Sequence, residues 1–479
     1  MAVSKASLLL LMLNAASALV PNQPGRLSIT KPSTSKKTTA NAVAIPFPNV
    51  ETSGAFGTTL AKEDQWIANL DYEGFGKEVA ELGKRIQRQG GQDDVDHFNK
   101  IVGWRDAAAW VGIATMWLNP NPLTILALST WTYASWTMIA HHTCHGGYNR
   151  VDAGKFNSRG FALGTVQRRV VDWLDLMMPE AWNVEHNRQH HYRLNEGADP
   201  DLVQRNLEFL REEKVPRAIK YGLVGVLVAV WKWYYYAPNT YKELQIAKWK
   251  QEGKTLPDGL DPQEPVTVVS LLKPGKKEDL MRQVVNPFDF FKTVMAPMFI
   301  FRYLLLPAPL LAVPGAGPTL FAHAVVNLAL AELVTNTHSF ITIVTNHCGP
   351  DMYTFDDAVK PKTPSFYVRQ IVGSANYAMG TDAIDFSHGW LNYQIEHHVW
   401  PDFSMLQYQK AAPELQKICK KYGVPYVKES VFERLRKTVD IMVGKSSMRP
   451  FPTEYEPVRD KAGTAGVSWK TTNGAIDEE

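Results

Sequence analysis

Thirteen histidines occur in 479 residues, and eight of them fall in three short runs. The runs are His141-His142-Thr143-Cys144-His145, His186-Asn187-Arg188-Gln189-His190-His191 and Gln394-Ile395-Glu396-His397-His398. His141/His145 and His186/His190 stand four apart, so on a helix each pair presents two imidazoles on one face. Neutral imidazole is the commonest metal ligand. The set exceeds what one tetrahedral zinc uses, since such a site takes four ligands in all. Two metals sharing imidazoles is the chemistry this spacing suggests.

Other uses of these residues fit less well. One large class of zinc proteases needs His-Glu-x-x-His, which is absent from the chain. Carboxylate-rich diiron bundles use Glu-x-x-His pairs, and no Glu stands three residues before any His here. The three cysteines, Cys144, Cys348 and Cys419, form no Cys-x-x-Cys, so a disulfide framework is not expected and they read as small packing residues. Lys and Arg number 51 against 48 Asp and Glu, a net charge of +3. With no long basic run interleaved with aromatics, nucleic acid is not an expected partner. Acidic residues crowd the runs: Glu185, Asp199, Asp201, Asp385 and Glu396. Metal-bound imidazoles commonly give their second N–H to carboxylates, so these are candidate orienting groups.

Apolar blocks must position the runs. Residues 107–118 and 121–140 form a pair split by Asn119-Pro120-Asn121-Pro122, a strong turn signal. The first histidine run begins where the second block ends. Residues 292–313 and 318–341 form another pair, broken by Pro307, Pro309, Pro314 and Gly317. A bilayer span needs ~20 apolar residues, for which 107–118 is short. Residues 162–181 carry Arg168, Arg169, Asp172 and Asp175 among apolar neighbours and suit an interfacial helix. Residues 221–237 end on the aromatic stretch from Trp231 to Tyr236, as segments at a membrane interface do. If the runs build one site, they share one side of the membrane. An even number of crossings then separates the second run from the third, and block 221–237 is read as lying in the membrane plane. The expected fold is an all-α membrane protein with about four transmembrane helices in two hairpins, interfacial helices, and a helical extramembrane cap carrying the histidines.

The ends read differently. Residues 1–50 contain no Asp or Glu. Lys5, the apolar stretch 8–13 and Ala16-Ser17-Ala18 read as a signal peptide, 1–18. Residues 19–46, rich in Ser and Thr with Arg26, Lys31, Lys36 and Lys37, read as a transit-peptide-like segment. Their junction resembles the bipartite plastid-targeting junction of algae with secondary plastids, with Leu19 where an aromatic is usual. A plastid membrane is the expected location, the endoplasmic reticulum the alternative. Residues 47–103 read as an N-terminal amphipathic helical region, helical over 59–89 and interrupted at Gly74 and Gly76. The main domain is 104–448, and 449–479 is polar and expected to be a disordered tail.

The order HxxxH, HxxxHH, QxxHH, with hydrophobic hairpins between, resembles the membrane fatty acid desaturases over roughly residues 104–445. The stretch Gly389-Trp390-Leu391-Asn392-Tyr393-Gln394-Ile395-Glu396-His397-His398-Val399-Trp400-Pro401 is similar to the third box of their front-end branch, which has Gln where other branches have His. The resemblance implies an O2-dependent acyl-lipid desaturase that introduces a cis double bond through a histidine-ligated centre of two iron ions. Removing hydrogen from an unactivated CH2 needs a redox-active metal, and imidazole suits iron. Carried over box by box, the implied ligands are His141 and His145, then His186, His190 and His191, then His397 and His398. The family has a further ligand at the end of the last span, where His347 stands. His142, His388 and Gln394 are additional candidates for binding or orienting the metal. Many front-end members carry a fused cytochrome b5 domain marked by His-Pro-Gly-Gly, and this chain has no His-Pro. A separate electron donor is implied, ferredoxin in a plastid or cytochrome b5 as the alternative; Arg188, Arg193, Lys420 and Lys421, near the boxes in sequence, are a candidate docking surface for it, with contact to anionic lipid as the alternative use. Two competing readings use the same residues. A carotenoid or sterol hydroxylase or ketolase has similar boxes, but the Asn-Tyr-Gln-Ile-Glu context favours a desaturase. A metal transporter or storage protein would place histidines along the spans, whereas the boxes lie at span ends.

Overall fold

The computed structural model describes residues 60–212, 214–273 and 280–462, together with the short antiparallel strands Thr471–Thr472 and Ala475–Ile476. The expected signal peptide and transit-like segment lie outside the described residues. Helices dominate, and nine of them are labelled here: α1 (Tyr72–Gln87), α2 (Gln92–Thr115), α3 (Pro122–Ala134), α4 (Arg217–Trp231), α5 (Gly317–Ile343), α6 (Pro364–Val372), α7 (Gln394–Val399), α8 (Met405–Tyr422) and α9 (Val431–Met442).

The turn predicted at Asn119-Pro120 closes an α2–α3 hairpin. Asn121 caps α3 by accepting from the Thr124 N–H at 3.0 Å, and Pro122 fills the first helical position, where no N–H is needed. Beyond Ala134 the helix widens into a π-helical segment, Ser135–Ala140, and ends in the turn His141–Cys144. Helix α5 tightens instead into a 3-10 turn, Val344–Asn346, directly before His347. Helices α3 and α5 run side by side in the same direction. Ser129 meets Thr335 at 3.0 Å and Tyr133 meets Thr342 at 2.8 Å. At the far end the Asn327 amide donates to the Met116 and Leu118 carbonyls at 2.9 and 3.0 Å. The α2–α3 loop therefore lies beside the start of α5, and both helices finish at histidines.

Two described helical stretches are long and apolar enough to cross a membrane, Pro287–Ala312 and Gly317–Asn346. The α2–α3 pair does not meet the same test, for reasons visible in its residues. The apolar part of α2 begins only after Arg105 and Asp106, and the buried face of α3 carries Thr124, Ser129 and Thr132. Outward-facing apolar side chains are nevertheless frequent on this pair, Val111, Leu118, Leu123 and Leu126 among them.

Several expectations change. Gly74 and Gly76 do not interrupt a helix; they sit in the first two turns of α1, which Asp71 caps by accepting from Gly74 N–H at 3.0 Å. A Cβ on Gly76 would come within 2.8 Å of Pro364, so the glycine permits α1 to press on α6. The charges that suggested an interfacial helix over 162–181 are partly interior. Arg169 and Asp175 are buried, and Lys232 bridges Asp175 at 3.1 Å and Glu332 of α5 at 3.3 Å. Only Val166–Asp172 is a helix before Pro179, and Val166 and Val171 face outward. Finally, residues 449–462 of the expected disordered tail are packed. Arg449–Pro450 pairs in parallel with Tyr353–Thr354, and the carboxylate of buried Glu456 receives Arg369 of α6 at 2.7 Å.

Candidate metal centre

Eight histidines from four stretches of chain converge. His141 and His145 come from the end of the α3 helix. His186 and His190 lie on a π-helical segment, Asn183–His190, that continues Pro179–Trp182, and His191 follows it. His347 follows α5, and His397 and His398 lie on α7. They fall into two groups whose ligating atoms all lie within 4.8 Å of one another: His141, His145, His186, His191 and His397, then His190, His347 and His398. An overlapping set joins His186, His190 and Asp201. His141 and His145 stay together, as α-helical spacing requires. His186 and His190 belong to different groups among these two, because the wider π-helical turn separates the directions of residues four apart. Such segments are frequent at functional sites.

One ring nitrogen of most of these side chains is fixed by the protein. His141 Nδ1 lies 3.3 Å from Thr137 O, His190 Nδ1 3.0 Å from Asp199 Oδ1, and His347 Nδ1 3.2 Å from Gly373 O. His397 Nδ1 is 3.0 Å from the Tyr408 hydroxyl, and His398 Nδ1 is 3.1 Å from Gln370 Oε1. Tyr408 itself donates to the Trp400 and Pro401 carbonyls, so its oxygen accepts from His397. With Nδ1 carrying the proton, Nε2 keeps its lone pair and turns inward. His145 Nε2, His397 Nε2 and His398 Nε2 are buried without any hydrogen-bond partner. Buried polar atoms are rarely left unpaired, and a cation at the centre of each group would supply the missing partner. Burial first, then neighbouring imidazoles, hold His145, His186, His191, His397 and His398 well below the usual imidazole range. They are therefore neutral, the form that binds metal. His190 goes the other way: burial lowers it, but Asp199 and Asp201 outweigh that and raise it.

The remaining candidates sort by position. Gln394 Nε2 lies 2.9 Å from His347 Nε2, while its Oε1 is buried and unpartnered, so the amide borders the smaller group. His142 is buried beside the larger group, its Nδ1 2.8 Å from Met138 O, but belongs to neither. His388 lies apart, with Nδ1 2.8 Å from Ile384 O and its ring near Tyr377. Of the acids, Asp199 and Asp201 border His190, whereas Asp385 holds Asn392 and Tyr393 in the loop before α7. Gln370 and Tyr408, which hold two imidazoles, carried no sequence signal. Cys144 and Cys348 neighbour ligand histidines in the chain, yet both are buried, and burial pushes the Cys348 thiol up to about 12. The basic residues near the boxes are mostly engaged: Arg188 is buried, Arg193 pairs with Glu196 at 3.1 Å, and Lys421 pairs with Glu78.

A cavity of about 440 Å³ opens onto the cluster. His141, His186, His190 and His347 contribute to its wall, and Trp136, Trp231, Phe340 and Leu391 supply apolar surface. An apolar pocket with a few polar groups converging on it is the usual form of a small-ligand site.

Comparison with known proteins agrees with this arrangement. Residues 115–430, which include all three histidine runs, match the fatty acid desaturase family. The chain is 22% identical over 421 residues to the NADPH-dependent stearoyl-CoA 9-desaturase of Mycobacterium tuberculosis, covering 83% of this chain and 84% of that one. It is 22% identical over 299 residues to the acyl-lipid 8-desaturase of Rebecca salina, covering 62% and 57%. It is 27% identical over 135 residues to the sn-1 linoleoyl-lipid 6-desaturase of Arthrospira platensis, covering 27% and 33%. No solved structure matches significantly. A histidine cluster able to hold metal, an apolar cavity leading to it and a match across the whole cluster-bearing region together place this oxidoreductase in the fatty acid desaturase family.

Proposed function

We propose that the chain is an O2-dependent acyl-lipid desaturase with two irons, one in each histidine group. The observation that carries this reading is the apolar cavity ending on imidazoles of both groups. His141, His145, His186, His191 and His397 would hold one ion, and His190, His347 and His398 the other, with Gln394 bordering the second and the Gly373 carbonyl orienting His347. Bound iron supplies, with O2, the oxidising power to remove one hydrogen from each of two adjacent CH2 groups. Two electrons leave the acyl chain and two come from a donor protein, so O2 is reduced to two waters. The chain's own part is to bind and orient. Trp136, Trp231 and Phe340 bury the acyl chain and exclude water, and the groups bonded to Nδ1 of His141, His190, His347, His397 and His398 fix those imidazoles in the tautomer that faces the metal.

The cluster also suggests a topology. Pro287–Ala312 and α5 cross the membrane, α2 and α3 form the second hairpin, and both hairpin loops lie on the side away from the histidines. Helix α4 lies in the membrane plane, with Leu223 and Val226 outward. A plastid membrane and reduced ferredoxin are the proposed setting and donor. Expression of the full chain in yeast or a cyanobacterium, followed by fatty acid profiling, tests the activity. A new unsaturated acyl species is expected with the native chain and not with His190→Ala. An unchanged profile for the native chain, with the protein present and iron-loaded, would refute the reading.

A further inference from the structure

The three imidazoles of the smaller group come from separate stretches of chain, yet the groups that hold them belong to one frame. This inference rests on the two-ion reading proposed above. Helix α6 supplies two of the holding acceptors. Gln370, within it, has Oε1 3.1 Å from His398 Nδ1. The carbonyl of Gly373, at its C-terminal cap, lies 3.2 Å from His347 Nδ1, with Ser374 Oγ at 3.4 Å. The third acceptor, Asp199, is 3.0 Å from His190 Nδ1 and belongs to the loop after the second histidine run. The larger group is built differently. Nδ1 of His186 and of His191 has no hydrogen-bond partner, and His141 and His397 rely on Thr137 and Tyr408.

Asn195 joins the loop to the helix. Its backbone N–H donates to Asp199 Oδ2 at 2.7 Å, and its side-chain amide donates to the Gly373 carbonyl at 3.1 Å. One residue thus braces the acceptor of His190 and that of His347. Asn195 is 1% exposed and has a φ of 58°, in the left-handed region that asparagine enters more readily than most residues. Its carbonyl accepts from the Phe355 N–H at 3.1 Å, which ties the same point to the segment carrying Asp357. Arg369 closes the frame from the other side. Its buried guanidinium lies 3.5 Å from Glu196, donates to the Asp357 carbonyl at 2.6 Å and forks onto Glu456 of the C-terminal segment. Arg369 and Gln370 are adjacent, so whatever shifts that guanidinium also shifts the acceptor of His398. Groups that orient metal-bound imidazoles from behind typically cost about 10- to 100-fold in metal affinity when removed.

We infer that Asn195 and Arg369 are positioning residues for the smaller histidine group alone: they lock α6 to the loop 195–199 so that His190, His347 and His398 converge. The test uses the full chain in neutral detergent, loaded with ferrous iron without oxygen and stripped with rising chelator. Iron per chain and melting temperature are both recorded. The native chain should release two ions. Asn195→Gly suits the left-handed backbone and removes the amide. One ion should then leave at about tenfold or more lower chelator, and the other at the native concentration. Asn195→Asp, which turns an acceptor toward the Gly373 carbonyl, should weaken the same ion further. Arg369→Lys keeps the charge without the planar fork and should shift that ion less. His398→Ala identifies the ion: adding Asn195→Gly to it should change release no further, whereas adding Asn195→Gly to His397→Ala should leave both ions weakly held. Gly112→Ala, whose Cβ would meet Leu128 at 2.6 Å in the α2–α3 hairpin, lowers stability elsewhere and should keep both ions. Native release from Asn195→Gly, additivity with His398→Ala, or the same loss in Gly112→Ala overturns the inference, and native release from Arg369→Lys removes Arg369 from it. A native chain that takes up fewer than two ions overturns the two-ion reading instead.

Discussion

An imidazole can face a metal with only one nitrogen, so what grips the other decides whether the ligand is ready. His397 depends on Tyr408 for this and His398 on Gln370. Tyr408→Phe keeps the ring packing and removes the acceptor. Iron affinity, measured by chelator competition, should fall about 10- to 100-fold, as when comparable outer groups are removed. His397→Ala should abolish the product and lower iron content while the fold survives. Glu396 gives a pH signature. Burial raises its carboxyl to about 6, against hydrogen bonds from Tyr426 and Asn376 that lower it. A carboxyl raised in the folded state binds its proton more tightly there, so stability falls as pH rises from the unfolded value of about 4.3 to about 6. Thermal melts of the native chain should lose stability across that window on the order of 2 kcal/mol relative to Glu396→Gln. At this scale the histidines that converge were legible, because i, i+4 histidines have few other uses. Their partners were not: Gln370 and Tyr408 lie 28 and 11 residues from the imidazoles they hold, and only folding brings them together.

Elements carry the positioning. Apolar blocks and the Asn119-Pro120 turn made the two hairpins legible, but nothing in the sequence announced the π-helical segments before His141 and through His186, since hydrophobic period does not encode a local widening. Helix α1 depends on Gly83, where a Cβ would approach Trp400 Nε1 to 2.2 Å. Gly83→Ala should lower stability by about 1–3 kcal/mol through overpacking, read as a depressed melting temperature in detergent. Helix α9 holds the turn around His347 through the buried side chains of Arg434 and Thr438, the latter donating to Cys348 O at 3.0 Å. Arg434 donates to both Asp351 oxygens at 2.8 Å, to Thr345 O at 3.3 Å and to Cys348 O at 2.9 Å. Arg434→Met leaves Asp351 to Lys437 alone, at 2.9 Å, strips the Thr345 and Cys348 carbonyls of the guanidinium, and should cost about 1–3 kcal/mol. Arg434→Lys restores the charge without the planar fork, so it should recover stability only in part and leave iron occupancy of the smaller group reduced.

At the scale of the molecule, both hairpins point their loops one way and their histidines the other. The three cysteines are buried, which makes the native chain a quiet background for thiol labelling. Single cysteines at Lys155, Lys362 and Lys417 should react from one side of the membrane, and cysteines at Asn119 and Gly315 from the other. Reaction of Lys362→Cys from the loop side would break the four-span arrangement. The parity argument for one-sided histidines needed only the order of blocks along the chain. What it missed was the wrapping. Residues 449–462 look like tail by composition, yet Glu456 and Asp460 are buried against α6, an arrangement that depends on Arg369 far away in sequence.

The unpartnered nitrogens of His145, His397 and His398 reach beyond catalysis. A ligand that binds only the folded chain stabilises it by an amount that grows with its free concentration. Folded protein made during iron shortage would therefore stand closer to unfolding and be removed sooner by proteases that act on opened chains. The abundance of this enzyme, and with it the fluidity of the membrane it serves, would follow cellular iron supply without any dedicated regulator. Pulse-chase of the native chain under iron limitation should show a shortened half-life that iron repletion restores, whereas a variant already lacking His397 should show little response.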